Sequence, residues 1–165
     1  MRALQERGAA AALRLRHNRV AAAGLVAAVV VAADQLSKTW AVHHLARRDI
    51  HLLGSLRLHL TYNSGGAFSL FTGNPWVFVV AGAALVAVML GMGRRLASMA
   101  TAVALGLVVG GAVGNLSDRV FRDTGGAVID FIDLQWWPVF NVADAGVVCG
   151  AVLLALTGRR PRPEA

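Results

Sequence analysis

The chain has 165 residues, of which 56% are hydrophobic and 15% charged, and its formal net charge is +7. This composition is too apolar for an ordinary water-soluble domain and indicates an integral membrane protein of one domain. The basic excess does not indicate a nucleic-acid partner, because the positive residues flank apolar segments instead of forming a polar basic domain.

Four apolar segments follow one another along the chain. A helix that crosses the hydrocarbon layer needs about 20 residues. We therefore predict a single membrane domain, 1–165, with transmembrane helices at about 18–40, 75–93, 96–116 and 139–157. The fold class is an all-α integral membrane protein with outer loops 41–74 and 117–138 and tails 1–17 and 158–165.

Lysine and arginine predict the orientation of these helices. Ten positive residues lie before the charge-free run that begins at Val20, in the turn at 94–95 and in the C-terminal tail, whereas six lie near the two longer loops. Positive residues favour the cytoplasmic side of a membrane. We therefore expect both termini to be cytoplasmic and the loops 41–74 and 117–138 to face outward.

Both outer loops contain strand-like patterns. Leu56, Leu58, Leu60 and Tyr62 alternate with polar residues, and the segment GGAVIDFID at 125–133 has the same strand-like character. These patterns predict a small strand-rich platform that lies on the outer surface of the membrane.

Glycines in the third apolar segment recur at intervals of four residues. Gly106, Gly110 and Gly114 lie on one helix face, where small residues let membrane helices approach closely. We predict a helix-packing role for this stripe.

Asp34 and Lys38 are four residues apart near the end of the first apolar segment. This spacing puts both side chains on one helix face, where they can pair. The pattern leaves two interpretations open, a structural salt bridge or support of a nearby site.

Aspartates are concentrated in the segment GAVIDFIDLQWWPVFNVADAG at 126–146. Asp144 lies just inside the fourth predicted helix, and Asp130 ends a strand-like stretch that can fold back over the same place. Two such carboxylates would share one proton and could activate water while polarising a carbonyl group. Helix capping by Asp144, next to Asn141, is the competing interpretation.

Two other classes of function fit parts of the sequence. A small transporter or assembly factor would use the acids to bind an ion or a partner helix. A serine protease would use Ser64, but none of the predicted helices contains a histidine that could activate it. We interpret Ser64 as a turn residue.

Five segments, read together, resemble the lipoprotein signal peptidase family, also called signal peptidase II. They are DQLSKTWA (34–41), YNSGGAFSL (62–70), GGAVGNLSDRV (110–120), GAVIDFID (126–133) and FNVADAGV (140–147). The family is a group of four-span bacterial aspartyl proteases, and the resemblance covers about residues 20–157. It implies an enzyme of the bacterial cytoplasmic membrane that cleaves prolipoproteins before a diacylglyceryl-modified cysteine.

The resemblance also implies the residues of the site. It makes Asp130 and Asp144 the catalytic pair. The supporting positions are Asp34, Asn63, Gly66, Asn115, Arg119 and Asn141. It implies no metal and no cofactor. The expected partners are prolipoproteins and membrane lipid, with no nucleic acid, and we expect a monomer.

Overall fold

The protein is described by a computed structural model that covers residues 2–64, 75–92, 96 and 98–158. The elements follow in the order α1 (Arg2–Leu45), β1 (Ile50–Leu53), β2 (Leu56–Asn63), α2 (Pro75–Met92), α3 (Met99–Phe121), β3 (Val128–Asp133) and α4 (Val142–Gly158). The four helices occur at the predicted apolar segments, and β2 and β3 occur at the predicted strand-like segments, whereas β1 was not predicted.

The helix bounds differ from the predicted spans mainly at the N-terminus. Helix α1 has 44 residues and begins at Arg2, so it continues through the segment predicted as a tail. Alanine, leucine and arginine are strong helix formers, and no proline interrupts them before the apolar segment begins. Among the described residues, Leu13–Leu45 and Met99–Phe121 are long and apolar enough to cross a membrane, and Val142–Thr157 is a shorter apolar helix.

The outer surfaces of the helices are apolar. Large side chains on α1, α2 and α4 are more than half exposed, as at Leu25, Val29, Val80, Val148 and Leu156. Contiguous apolar surface of this kind is unusual on a soluble monomer, and lipid would cover it. The surface therefore agrees with a helical membrane protein.

Helix α3 is central and packs against both α1 and α4 through glycines. A Cβ atom at Gly106 would lie 2.6 Å from the carbonyl oxygen of Ala23, and one at Gly110 would lie 2.8 Å from that of Ala27. On another face, a Cβ atom at Gly111 would clash with the carbonyl oxygen of Ala143 at the start of α4. The predicted packing role of this glycine stripe is confirmed.

The three strands form one antiparallel sheet in the order β1-β2-β3. Thr61 of β2 pairs with Asp130 of β3. The apolar side of the sheet packs on the end of α1, where Ala41, Leu45 and Phe131 form a buried cluster. The predicted small strand-rich unit is thus confirmed as a three-stranded antiparallel sheet, and it lies at the end of the bundle where α4 begins.

Candidate active site

Asn141 and Asp144 cap the start of α4 reciprocally. The Asn141 side-chain oxygen accepts a hydrogen bond from the Asp144 backbone N–H at 2.9 Å. In return, Asp144 Oδ2 accepts the Asn141 backbone N–H at 3.2 Å. This arrangement satisfies two helix-terminal donors, so the capping role considered for Asp144 is present.

Asp144 also has a partner outside its own helix. Its Oδ1 accepts a hydrogen bond of 2.7 Å from Asn115 Nδ2 on α3. A cap needs no such contact, because the backbone partners already satisfy the helix end. The carboxylate is therefore part of a polar cluster between α3 and α4 as well as a cap.

Asp130 enters the same cluster from the sheet. Its Oδ1 accepts a hydrogen bond of 2.7 Å from Asn141 Nδ2, and its Oδ2 accepts one of 3.1 Å from Asn63 Nδ2 on β2. Only 2% of Asp130 is exposed, because β3 pairs with β2 and also contacts α1 and α3. The strand-like segment thus folds back over the start of α4, as the sequence predicts.

The two carboxylates are joined through two amides. Asn141 Nδ2 donates to Asn115 Oδ1 at 3.0 Å, so a continuous chain runs from Asp130 through Asn141 and Asn115 to Asp144. Burial, together with the nearby negative charge of Asp144, raises the pKa of Asp130 from 3.8 to about 6, although the amide donors of Asn63 and Asn141 oppose this shift. A carboxyl group with this pKa can hold or release a proton close to neutral pH.

Asp34 and Lys38 form the predicted salt bridge, with 2.8 Å between Nζ and Oδ2, and both side chains are fully buried. Asp34 Oδ1 also accepts the backbone N–H of Ala143 at 3.0 Å. A Cβ atom at Gly114 would lie 2.7 Å from Asp34 Oδ2, which explains the glycine there. Asp34 is therefore both a salt-bridge partner and a support for the first turn of α4.

Lys38 also contacts α3. Its Nζ lies 2.7 Å from Oδ2 of the buried Asp118 and donates to Asn115 Oδ1 at 3.0 Å. Buried charges are tolerated when each is paired and hydrogen-bonded. Among the described residues, no buried side-chain nitrogen or oxygen lacks a hydrogen-bond partner.

Gln35 and Arg122 complete this network, and sequence reasoning missed both. Gln35 Nε2 donates to Asp118 Oδ1 at 2.9 Å, to the Gly114 carbonyl at 3.1 Å and to Asp34 at 3.2 Å. Arg122 pairs with Asp118 at 3.1 Å. The four-residue interval between Asp118 and Arg122 was the signal available for the second contact.

The remaining predicted positions lie around this cluster. Arg119 Nη1 donates to the Gly126 carbonyl at 2.8 Å and so holds the turn that precedes β3. Gly66 lies outside the described residues.

Asp133 belongs to a separate network, in which Arg57 Nε contacts it at 2.7 Å. Burial raises the pKa of Asp133, but the hydrogen bonds from Arg57 and the Gln135 N–H outweigh it and leave the pKa below its usual value.

An apolar cavity of about 460 Å³ adjoins Asp144. It lies between the segment that follows β3 and one side of α4. Its lining residues are Leu134, Trp136, Trp137, Phe140, Asp144, Ala145, Val148 and Cys149. The carboxylate of Asp144 thus stands at the boundary between a polar cluster and an apolar pocket.

The fold and the site together define a class: a helical membrane protein with two aspartates, Asp130 buried and Asp144 partly buried, at the end of the bundle that the sheet covers. Comparisons with known proteins narrow this class. The family model for signal peptidase (SPase) II matches residues 26–158. Two solved structures of a bacterial membrane enzyme share the fold, with TM-scores of 0.72 and 0.74 at 24% identity, and cover 87% and 85% of this chain and 94% of each of theirs.

Curated relatives agree with the family model. The lipoprotein signal peptidase of Rhodococcus jostii is 44% identical over 154 residues, covering 90% of this chain and 78% of that protein. The lipoprotein signal peptidase of Mycobacterium avium is 46% identical over 136 residues, covering 79% of this chain and 75% of that protein. The chain belongs to the signal peptidase II family of membrane proteases. This membership supports the peptidase interpretation over a transporter or an assembly factor.

Proposed function

We propose that this chain removes the signal peptide from diacylglyceryl-modified prolipoproteins by cleaving before the lipidated cysteine, with Asp130 and Asp144 as its catalytic residues. The observation that carries the proposal is the chain of amides that joins these two carboxylates. The chain's relatives are named lipoprotein signal peptidase, and this name supports prolipoproteins as the substrate class. The mechanism that fits the pair is attack by water, without a covalent intermediate.

The pair can carry out every proton transfer that hydrolysis requires. The ionised aspartate takes a proton from water, whose oxygen attacks the scissile carbonyl carbon, while the other aspartate gives its proton to the carbonyl oxygen. Collapse of the resulting diol breaks the C–N bond, passes the first proton to the leaving amine and returns the second to its aspartate. The pair ends with one shared proton, as it began.

The position of the pair suits a lipid-anchored substrate. Asp144 is the third residue of α4, roughly 4 Å below the helix start. A diacylglyceryl group holds its cysteine at the membrane surface, with the acyl chains in hydrocarbon. The cavity extends from Asp144 along α4 to Cys149, about 7.5 Å further into the membrane. We infer that this cavity receives one acyl chain beside the scissile bond.

The proposed topology places this site on the outer face of the bacterial cytoplasmic membrane. Four spanning helices, α1 to α4, would leave both termini in the cytoplasm, in keeping with the ten positive residues on that side against six on the other. The sheet and the start of α4 then lie together at the outer interface. We propose that the protein acts as a monomer, since one chain supplies both carboxylates.

A cleavage assay tests the proposed function. The purified protein in detergent is given a peptide that carries a diacylglyceryl-modified cysteine, and the same peptide without lipid is the control. We expect cleavage of the lipidated peptide alone, with the modified cysteine at the new N-terminus. Failure to cleave the lipidated peptide, or cleavage at another bond, would contradict the proposal.

A further inference from the structure

An exposed apolar face runs along α1 toward the sheet. Val29, Leu36 and Trp40 recur at helical spacing on one side of the helix, and they are 59%, 72% and 39% exposed. Ala41 and Leu45 lie on another side, in the buried cluster beneath the sheet. From Val29 to Trp40 the exposed face is roughly 16 Å long, and half of the hydrocarbon layer is roughly 15 Å thick. The face therefore matches the acyl chains of one membrane leaflet.

An aromatic stack ends this apolar face. The Trp40 ring stacks on the His44 ring one turn later, with 5.0 Å between the ring centroids and 15° between the planes. His44 Nδ1 donates to the Trp40 carbonyl oxygen at 2.8 Å, because a carbonyl oxygen can only accept. Tryptophan is enriched at the level of the lipid headgroups, where one side of its ring is apolar and the other is wet. Trp40 and His44 thus mark the level at which the apolar face meets the headgroup region.

Two arginines whose charge the protein does not compensate follow this stack. Arg47 and Arg48 are exposed and lie just after the end of α1. Among the described residues, no acid forms an ion pair with either of them, and the neighbouring Asp49 is bound to Arg57 and His59. Two positive charges therefore remain for a partner outside the chain.

A cavity of about 590 Å³ brings the basic groups together at this helix end. Its lining residues are Val42, His43, His44, Ala46, Arg47 and Arg48. Guanidinium groups bind phosphate strongly, because their paired N–H donors match its oxygens. No residue of this cavity lines the cavity beside Asp144, so the two are separate.

We propose that the end of α1 is a binding site for an anionic phospholipid, whose phosphate lies against Arg47 and Arg48 and whose acyl chain lies along Val29, Leu36 and Trp40. The helix presents hydrocarbon, an aromatic ring and positive charge in the order in which such a lipid presents acyl chain, interface and phosphate. Apolar contact and charge act together in binding of this kind. The lipid would bind whether or not the protein cleaves prolipoproteins.

The helix dipole offers another reason for basic residues at this position, because positive charge is favourable near the last carbonyls of a helix. That role affects stability and does not distinguish one lipid from another. A headgroup site does distinguish them, since each basic residue near an anionic membrane surface strengthens binding about fivefold. Salt should weaken this preference by screening the charges.

Photochemical crosslinking tests the site with a local readout. The full chain in neutral detergent is mixed with phosphatidylglycerol that carries a diazirine in one acyl chain, and phosphatidylcholine with the same chains is the control. Protease digestion and mass spectrometry then measure the adducts on residues 29–48. We expect at least about fivefold more adduct there from the anionic lipid, and a ratio that falls with added salt. Equal labelling by the two lipids would overturn the proposal.

Two pairs of substitutions separate this site from the net charge of the protein. Arg47→Gln combined with Arg48→Gln removes two exposed charges, and we expect the ratio of anionic to zwitterionic adduct on 29–48 to fall to about one. Arg14→Gln combined with Arg16→Gln is the matched control, because it removes the same charge from exposed positions near the other end of α1. It should leave the ratio unchanged. An equal fall in both variants would show that net charge, not this site, attracts the lipid.

Inorganic phosphate distinguishes a lipid site from a simple anion site. At matched ionic strength, phosphate should reduce the labelling by phosphatidylglycerol no more than chloride does, because a free anion gains nothing from the apolar face of α1. Stronger competition by phosphate than by chloride would show that the basic end binds free anions, contrary to the proposal.

Discussion

Asn115 on α3 and Asn141 at the start of α4 are joined by a hydrogen bond of 3.0 Å, and each of them donates to a different aspartate of the proposed pair. The relationship couples helix packing to the site. A small shift of α4 against α3 would break both the contact between the two amides and the contact from Asn115 to Asp144. The glycine contacts between these helices therefore bear on activity as well as on stability.

The first prediction concerns the two aspartates. Asp130→Asn and Asp144→Asn should each lower kcat/KM by several orders of magnitude, and the double variant should lower it little further, because both belong to one catalytic unit. Cleavage of the lipidated peptide by purified protein measures this. If Asp144 served only as a cap, its replacement would cost about 0.5–2 kcal/mol of stability and leave turnover largely intact.

Asp133→Asn is the control for these variants. It removes a carboxylate from the same strand, but one that pairs with Arg57 outside the amide chain. Its effect on turnover should be mild, as should that of Ser64→Ala. Loss of activity in Asp133→Asn as large as in Asp130→Asn would contradict the assignment of the pair.

The second prediction concerns stability against pH. The folded-state pKa of Asp130 is raised from 3.8 to about 6, so the folded state binds more protons than the unfolded state between these values. Wild-type stability therefore falls as pH rises through this window, because ionising the buried group opposes folding. Asp130→Asn lacks this penalty. Its melting temperature relative to the wild type should rise between about pH 4 and pH 7 when measured in detergent.

For Asp133 we expect the opposite dependence of stability on pH. Because the pKa of Asp133 is lowered, its stabilising contribution is present above the unfolded value of 3.8 and is lost as pH falls below it. Asp133→Asn should therefore be destabilising at neutral pH and approach the wild type in acid. The same pH trend in both variants would refute the distinction between the two carboxylates.

The third prediction concerns the packing of α3 on α1. Gly110→Ala would place a Cβ atom 2.8 Å from the carbonyl oxygen of Ala27, and the helices must separate to admit it. We expect a loss of about 1–3 kcal/mol, seen as a lower melting temperature in detergent. Gly24→Ala on α1 is the control, because a Cβ there meets nothing within 4 Å and alanine favours the helix. Equal changes in melting temperature for Gly110→Ala and Gly24→Ala would show that the close approach of α3 to α1 at Gly110 is unimportant for stability.

Apolar length and alternation made most of the fold predictable. Charge-free segments indicated the helices, and alternation indicated β2 and β3, because both signals are local and follow from burial on one face. The start of α1 was not predictable in this way. Arginine interrupts an apolar segment without ending a helix, so the hydropathy pattern predicts a start at about residue 18 whereas the helix begins at Arg2.

The site was predictable where its residues also have local roles. Asn141 and Asp144 carry a capping pattern, and Asp34 and Lys38 carry a pairing interval. The position of Lys38 between Asp34, Asp118 and Asn115 depends on how α1 packs on α3, about 80 residues further along the chain. No local sequence pattern predicts such a contact. Only the resemblance to the signal peptidase II family indicated that Asn115 belongs to the site.

The fourth prediction concerns topology. Reporter fusions after residues 55 and 127 should be read from the outer side of the membrane, and a fusion after residue 94 from the cytoplasm. The reason is the ten-to-six distribution of positive residues, which favours cytoplasmic termini. A cytoplasmic signal at residue 55 would invert the orientation and place the sheet on the wrong side for the substrate.

The last prediction concerns the apolar cavity. Cys149 and Val152 lie on the same helix, but only Cys149 lines the cavity beside Asp144. Cys149→Trp should fill the space for an acyl chain and lower kcat/KM about tenfold or more for a substrate with long acyl chains, because overpacking and lost apolar contact both oppose binding. A substrate with short acyl chains should be affected much less, since the pair of aspartates is untouched. Val152→Trp, whose side chain is exposed on the apolar surface, should leave both substrates unaffected. Cleavage rates for the two substrates measure the preference, and an equal loss for long and short chains in Cys149→Trp would show that the cavity does not receive the lipid.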